Sequence, residues 1–256
     1  MAQNLRIHIS PVGFEFKRVT EPLIRMQADK VYLVSYQKND FGHQFLEMIK
    51  QELDNNYKHI RIIEVFIDIW DLYQCIEKFR QIIHEEKNNH IYFNVSTGTK
   101  ITSIAGMLSC MLWDASPYYA NLDYSAKETK ISIPSEHIGE IESLPVYEIN
   151  KPKFEVMLVL DLLKSADGKM KKSHLISKLE GKGIIRLKDE TKKELTKSAK
   201  HSQLKAILDP MESDWNYIRV EASGRRSEVF LTEQGRNALK IFGVHQNKID
   251  TIKKFN

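Results

Sequence analysis

Residues Ile91–Lys100 read IYFNVSTGTK. The first five are β-branched, aromatic or amide side chains in a short apolar run, the composition of a strand. Ser96-Thr97-Gly98-Thr99 is a polar turn with its own glycine. A helical pattern then runs over Gly98–Trp113, with small and apolar residues throughout. A strand that enters a helix through a tight polar turn is the building unit of a parallel α/β sheet. Working outward, the same unit recurs. Leu5–Ser10, Val31–Tyr36 and Ile60–Phe66 read as strands, and Glu15–Gln27, Phe41–Asn55 and Ile69–Lys87 as helices between them. In the last of these, Ile69, Leu72, Ile76, Phe79, Ile82 and Ile83 fall three or four apart and make one apolar face. Pro117–Leu122 reads as a late strand, with Lys130–Ile133 as its hairpin partner and Leu144–Ile149 as either an exit strand or linker. The fold class is therefore α/β: a mostly parallel sheet with helices on both faces.

The charge is split along the chain. Residues 1–150 carry 15 Lys+Arg against 20 Asp+Glu, and residues 151–256 carry 23 against 14. The sign changes near Asn150–Lys153, where NKPK introduces a proline, so the domains are read as 1–150 and 151–256. After the boundary come a helix over Phe154–Lys164, a turn at Ala166–Gly168, and a helix over Lys172–Leu179 with Ser173 as its N-cap. A helix over Ser202–Met211, strands at Trp215–Val220 and Glu228–Leu231 around the turn ASGRRS, and a helix over Thr232–Phe242 complete the pattern.

That order is the order of a winged helix-turn-helix. A helix fits the major groove, and a hairpin tip reaches neighbouring phosphates. Arg225 and Arg226 occupy the tip. Lys197, Lys200, His201, Ser202, Gln203 and Lys205 populate the recognition helix and its approach, with Gln203 or His201 placed for base edges and the lysines for phosphate. The competing reading is a dimerisation or protein-binding module whose basic residues form a solvated face. Pattern and charge together favour double-stranded DNA as the partner.

In the first half, Pro11–Phe16 and Asn94–Lys100 fall where strands end and helices begin, the place where open α/β sheets bind ligands. Asn94, Ser96, Thr97 and Thr99 offer polar groups, Gly98 allows close backbone approach, and Lys100 adds a positive charge. This chemistry suits a phosphate or nucleotide, and equally an ordinary well-capped turn. Neither GxxxxGK[ST] nor GxGxxG is present.

Little else carries chemistry. Asp68 and Asp71 read as helix caps rather than an acid–base pair. His8, His43, His59, His84 and His90 lack ligand spacing, and no Ser–His–Asp order is defensible, so no catalytic residue and no metal is expected. Cys75 and Cys110 lie in apolar helical patterns and are expected as buried free thiols of a reducing cytoplasm. The start, MAQNLRIHIS, runs straight into a strand pattern, so no secretory signal is expected. The apolar run Ile101–Trp113 is interrupted by Thr102, Ser103, Gly106 and Ser109, so no membrane partner is expected.

Three segments resemble one family. Ile7–Phe16 (IHISPVGFEF) with Glu21–Arg25 (EPLIR), Tyr92–Gly106 (YFNVSTGTKITSIAG) and the winged-helix tail look like the CARF-domain winged-helix regulators associated with archaeal CRISPR systems. The resemblance covers most of the chain, and NVSTGTK is its most specific part. It implies a Rossmann-like sensor that forms a homodimer, with the strand-end loops meeting across the twofold axis. It also implies a cyclic oligoadenylate, such as cyclic tetra-adenylate, as regulatory ligand, with no other cofactor. By the family's motif Gly13 and Phe14 lie in the first loop, and Asn94, Ser96, Thr97, Gly98, Thr99 and Lys100 in the second. Some CARF domains cleave the ligand they bind, so a ring nuclease with Ser96, Thr97 and Lys100 as orienting groups is one alternative. A constitutive DNA-binding protein whose α/β half only dimerises is the other.

Overall fold

The computed structural model describes residues 4–36, 42–123, 138–186, 196–221 and 227–243. The chain divides into two compact units, residues 1–150 and 151–256.

The first unit is a six-stranded sheet. Its strands are β1 (Arg6–Pro11), β2 (Lys30–Ser35), β3 (Arg61–Phe66), β4 (His90–Asn94), β5 (Ser116–Leu122) and β6 (Ile138–Ser143). Spatial order is β3-β2-β1-β4-β5-β6, and every pairing but the last is parallel. Helices α1 (Phe16–Arg25), α2 (His43–Asn56), α3 (Leu72–Glu85) and α4 (Lys100–Trp113) connect the parallel strands. The α/β class and the mostly parallel sheet expected from the strand–helix alternation are what the fold shows.

Two layers follow from the pleat. Val19 and Leu23 of α1 and Leu46, Ile49 and Leu53 of α2 bury against Val31 and Leu33 on one face. On the other, Phe79 of α3 meets Phe93 of β4 edge-on at 4.7 Å. A methyl group on Gly106 would run into that same Phe93 ring, so glycine brings α4 close to the sheet. Cys75 and Cys110 are buried free thiols whose pKa burial pushes up to about 12.

The proposed hairpin partner Lys130–Ile133 lies outside the described residues; the strand that pairs antiparallel with β5 is β6 at Ile138–Ser143. Leu144–Ile149 forms no strand. Its backbone leaves the sheet after Leu144 N donates to Pro117 O, and Tyr147 stands exposed.

The second unit runs α5 (Phe154–Lys164), β7 (Lys169–Lys171), α6 (Lys172–Gly181), α7 (Lys197–Ser213), β8 (Ile218–Glu221), β9 (Glu228–Leu231) and α8 (Glu233–Phe242). Its antiparallel sheet has the order β7-β9-β8. Val159, Leu160 and Leu163 of α5, Leu175 and Leu179 of α6, and Leu204, Leu208 and Met211 of α7 form one core with Val229 of β9. This is a winged helix domain.

Several features of this unit differ from the sequence reading for a visible reason. The three-residue β7 is absent from that reading; it pairs with β9 and passes directly into α6. Ser173 therefore does not cap α6: Lys171 holds the N-cap position with no side-chain cap, and Lys172 N donates to Ser227 O instead. Helix α7 begins earlier than Ser202, because Thr196 accepts from Ala199 N at 3.2 Å and starts it at Lys197. Strand β8 begins later than Trp215, because Trp215 N and Tyr217 N turn back to Pro210 O and Met211 O, with Asn216 left-handed at φ 50° between them. Thr232 caps α8 as expected, accepting from Gly235 N at 3.2 Å.

Candidate ligand site and nucleic-acid interface

Reading outward from β1, the chain places β2 and β3 to one side and β4 and β5 to the other. The strand order reverses between β1 and β4, and the crevice outside their carboxyl ends is where such sheets take ligands. The end of β4, the loops after these two strands and the start of α4 carry all eight residues singled out in the first half.

The loops touch backbone to backbone. A methyl group on Gly13 would sit 2.9 Å from Gly98 N, and one on Gly98 would sit 2.6 Å from the Pro11 side chain. Gly98 has φ +80°, a conformation costly for any residue with a Cβ. Thr97 Oγ1 donates to Pro11 O at 2.6 Å and ties the β4 loop to the end of β1. Asn94 Oδ1 accepts from Ser96 N at 3.0 Å and from the Ser96 hydroxyl, and Asn94 Nδ2 donates to Arg18 O in α1 at 2.8 Å. Thr99 is the N-cap of α4, accepting from Thr102 N at 3.1 Å and donating to Ile69 O at 2.9 Å.

The eight residues therefore divide by task. Asn94, Ser96 and Thr97 are buried, and their polar atoms build the loop. Gly13, Gly98 and Thr99 are half-buried, while Phe14 and Lys100 are exposed. The exposed side chains among the eight are Lys100 and Phe14, at the start of α4 and in the first loop. An anion is favoured at the start of α4 by the helix dipole and by first-turn amides that have no intrahelical partner. Glu15 opposes it: a methyl group on Gly13 would lie 2.6 Å from Glu15 Oε2, so a carboxylate leans over the first loop.

Beneath this rim lies a buried polar cluster that the strand patterns do not reveal. His8 stacks on Tyr92 at 5.1 Å, and its Nδ1 is 3.2 Å from the Tyr118 hydroxyl. Burial is the main cause that lowers the His8 pKa to about 3, with the Arg6 charge adding to it, so the ring is neutral. Burial likewise raises Tyr118 above the ordinary phenol range. Arg18, in the first turn of α1, is buried, donates from Nε to Ala120 O at 3.0 Å and lies 4.8 Å from the Tyr119 ring centre. Asp71 caps α3, accepting from Tyr73 N and Gln74 N, the structural role expected of it.

In the winged helix, Lys197, His201 and Lys205 recur every four residues along α7 and are exposed, with Ser202 beside them. Three of the expected residues have side-chain partners, one of them Lys205, whose Nζ lies 4.0 Å from Asp209 Oδ2. Lys200 Nζ pairs with Glu180 Oε1 at 2.6 Å. Gln203 is not held free for a base edge, because its amide brackets one backbone unit: Nε2 donates to Arg186 O at 3.0 Å and Oε1 accepts from Arg186 N at 3.2 Å. Arg225 and Arg226 lie outside the described residues. A second basic feature escapes the sequence reading, a concavity at β7 and α6 lined by Lys169, Lys171, His174 and Lys178, together with Asp167 and Glu228. Lys169 and Lys171 share a strand too short for sequence pattern to show. No helix among the described residues is long and apolar enough to cross a membrane.

Fold and loops together define a two-domain α/β and winged helix protein. Residues 6–124 match the family model described as "HFX_2341_N:-like, N-terminal", and residues 155–243 match the DUF6293 C-terminal winged helix domain. The uncharacterized protein MJ1513 of Methanocaldococcus jannaschii is 24% identical over 230 residues, covering 77% of this chain and 68% of that protein. Among solved structures, Enterococcus italicus Csm6 bound to cyclic hexa-2'-fluoro-hexa-dAMP is similar at TM-score 0.44 and 18% identity over 82% of this chain, which spans 56% of the Csm6 chain. Can2 from Sulfobacillus thermosulfidooxidans in complex with cyclic tetra-adenylate is similar at TM-score 0.41 and 14% identity, over 97% of this chain and 84% of that one. These structural likenesses are too loose to bear on ligand or activity.

Proposed function

We propose that this chain is a ligand-gated DNA-binding regulator: the α/β unit senses a nucleotide second messenger, a cyclic oligoadenylate, and the winged helix unit binds double-stranded DNA. The observation that carries the reading is the meeting of Gly13 and Gly98 at the point where strand order reverses, in a chain that continues into a winged helix domain. The rim offers Lys100 and the start of α4 to phosphate. The resemblance of IHISPVGFEF and NVSTGTK to CARF-domain regulators supplies the ligand class, with cyclic tetra-adenylate the first to test. The protein then acts as a cytoplasmic homodimer, the ligand lying on the twofold axis.

Sensing without cleavage is favoured over a ring nuclease. The Ser96 and Thr97 side chains are buried and give their hydroxyl protons to Asn94 Oδ1 and Pro11 O inside the loop, so neither is offered to the ligand as a donor. Ligand gating requires the ligand to prefer one arrangement of the dimer. The test is to select bound fragments from genomic DNA with the intact protein, then titrate one with and without cyclic tetra-adenylate. A change in affinity of at least about fivefold is expected for coupled sites. Equal affinities support the constitutive reading, in which the α/β unit only dimerises.

A further inference from the structure

The rim of the α/β unit carries large aromatic side chains in the places where a folding argument would put polar ones. Trp70 is 58% exposed and Phe14 is 59% exposed. Neither ring is loose. Trp70 meets Tyr36, just past the end of β2, edge-on with ring centres 4.7 Å apart. Phe14 meets Phe45 of α2 in the same way at 5.4 Å.

The backbone under Trp70 is held from both sides. Trp70 N donates to Asp68 Oδ1 at 3.0 Å, and Asp71 N donates to Asp68 O at 3.2 Å, which closes a tight turn. The preceding carbonyl, Ile69 O, accepts from Thr99 Oγ1 at 2.9 Å. Thr99 is the N-cap of α4, so the residue that starts the anion-favouring helix also fixes the residue next to Trp70. Gly13, which precedes Phe14, abuts Gly98 on the same loop. Two exposed rings therefore stand on backbone tied to the two sides of the turn between β4 and α4.

An exposed indole stabilises the fold little, since most of its apolar area stays in water. A rigid ring beside backbone amides and a lysine is, however, what a nucleotide requires: charge complementarity for phosphate and a π-face for the base. Stacking would cover that area when the ligand arrives.

We propose that Trp70, braced by Tyr36, is the platform on which a nucleobase of the ligand stacks, with the phosphate placed toward the Thr99–Lys100 start of α4. This rests on the sensor reading above and assigns the base-recognition side of the same site. A purine gains most on such a platform, because its fused ring covers more of the indole.

The test uses the intact protein and cyclic tetra-adenylate, with calorimetry and tryptophan emission read together. Trp113 and Trp215 contribute background emission, which Trp70→Phe isolates. The expected result is quenching in the native protein that is absent in Trp70→Phe. Trp70→Ala should bind at least about tenfold more weakly, while Trp70→Phe, which keeps a ring, should lose less. Native protein that binds the ligand while Trp70→Ala binds it equally well overturns the platform and leaves the sensor reading standing. A change of oligomeric state in Trp70→Ala, seen by sedimentation, also overturns it, because the ring would then cover a second copy. Failure of the native protein to bind cyclic adenylates overturns both.

Discussion

Thr97 Oγ1 donates to the carbonyl of Pro11 at 2.6 Å, across the point where the sheet reverses its order. Both residues are buried, so the bond staples the two strand-end loops from beneath. Thr97→Val keeps the shape and removes the donor, leaving Pro11 O unsatisfied. A loss of about 1–3 kcal/mol in urea unfolding is expected, with Thr97→Ser retaining most of the native stability. Gly98→Ala should cost a similar ~1–3 kcal/mol, because φ +80° and the 2.6 Å approach to Pro11 both oppose a methyl group. A neutral Gly98→Ala would show that the two loops do not touch in solution.

Charge at the rim makes opposite predictions for two neighbours. Lys100 is exposed, so Lys100→Ala should leave the unfolding midpoint unchanged and weaken cyclic tetra-adenylate binding about tenfold, or 1.4 kcal/mol. Glu15 leans over Gly13, so Glu15→Gln should strengthen binding of the same anion. Calorimetry at two salt concentrations separates these effects from packing, since the Lys100 contribution fades as salt rises. Weaker binding by Glu15→Gln would place the phosphates elsewhere.

On the DNA side, Lys197 and Lys205 are exposed on one face of α7. Replacing both with alanine should lower affinity for all sequences and flatten the log–log salt slope by about 0.9 for each phosphate left without its lysine. Arg225→Ala with Arg226→Ala should act the same way if the wing tip reaches phosphate. Gln203→Ala should instead lower the stability of the winged helix by about 1 kcal/mol, since its amide holds the Arg186 backbone. A Gln203→Ala variant that folds normally but loses sequence preference would return that residue to a base edge.

Acid should destabilise the α/β unit through His8. Its pKa is about 3 in the fold, against 6.5 for an ordinary histidine, with burial the main cause. Between those values the unfolded chain binds a proton that the folded one does not, so stability falls as pH drops below about 6.5. The slope approaches 1.4 kcal/mol per pH unit for one such group. His8→Gln should remove this slope in urea titrations between pH 6.5 and 5. An unchanged slope would show that another group carries it.

The strand and helix units are legible in the sequence because each is a periodic run that ends in its own turn signal: Ile91–Gly106 is the clearest case. The β1–β4 crevice follows from the same pattern, since both loops sit where a strand hands over to a helix. What stays hidden depends on partners far apart in sequence. Strand β7 exists because β9 pairs with it, and three residues hold no period. Asn94 and Gln203 look like ligand and base readers because an amide advertises hydrogen bonding without naming its partner; here the partners are Arg18 and Arg186 backbone. Trp70 falls inside the helix read over Ile69–Lys87, whereas α3 begins at Leu72 and leaves it in the preceding turn. Its exposure, and the Thr99 bond that fixes its turn, come only from folding.

The most direct measurement is calorimetry of the intact protein with cyclic di-, tri-, tetra- and hexa-adenylate. Saturation by one of them at one ligand per two chains is the predicted result, the stoichiometry that a ligand shared across a twofold axis requires. No heat of binding across the panel would contradict the sensor reading and leave the winged helix as the functional unit.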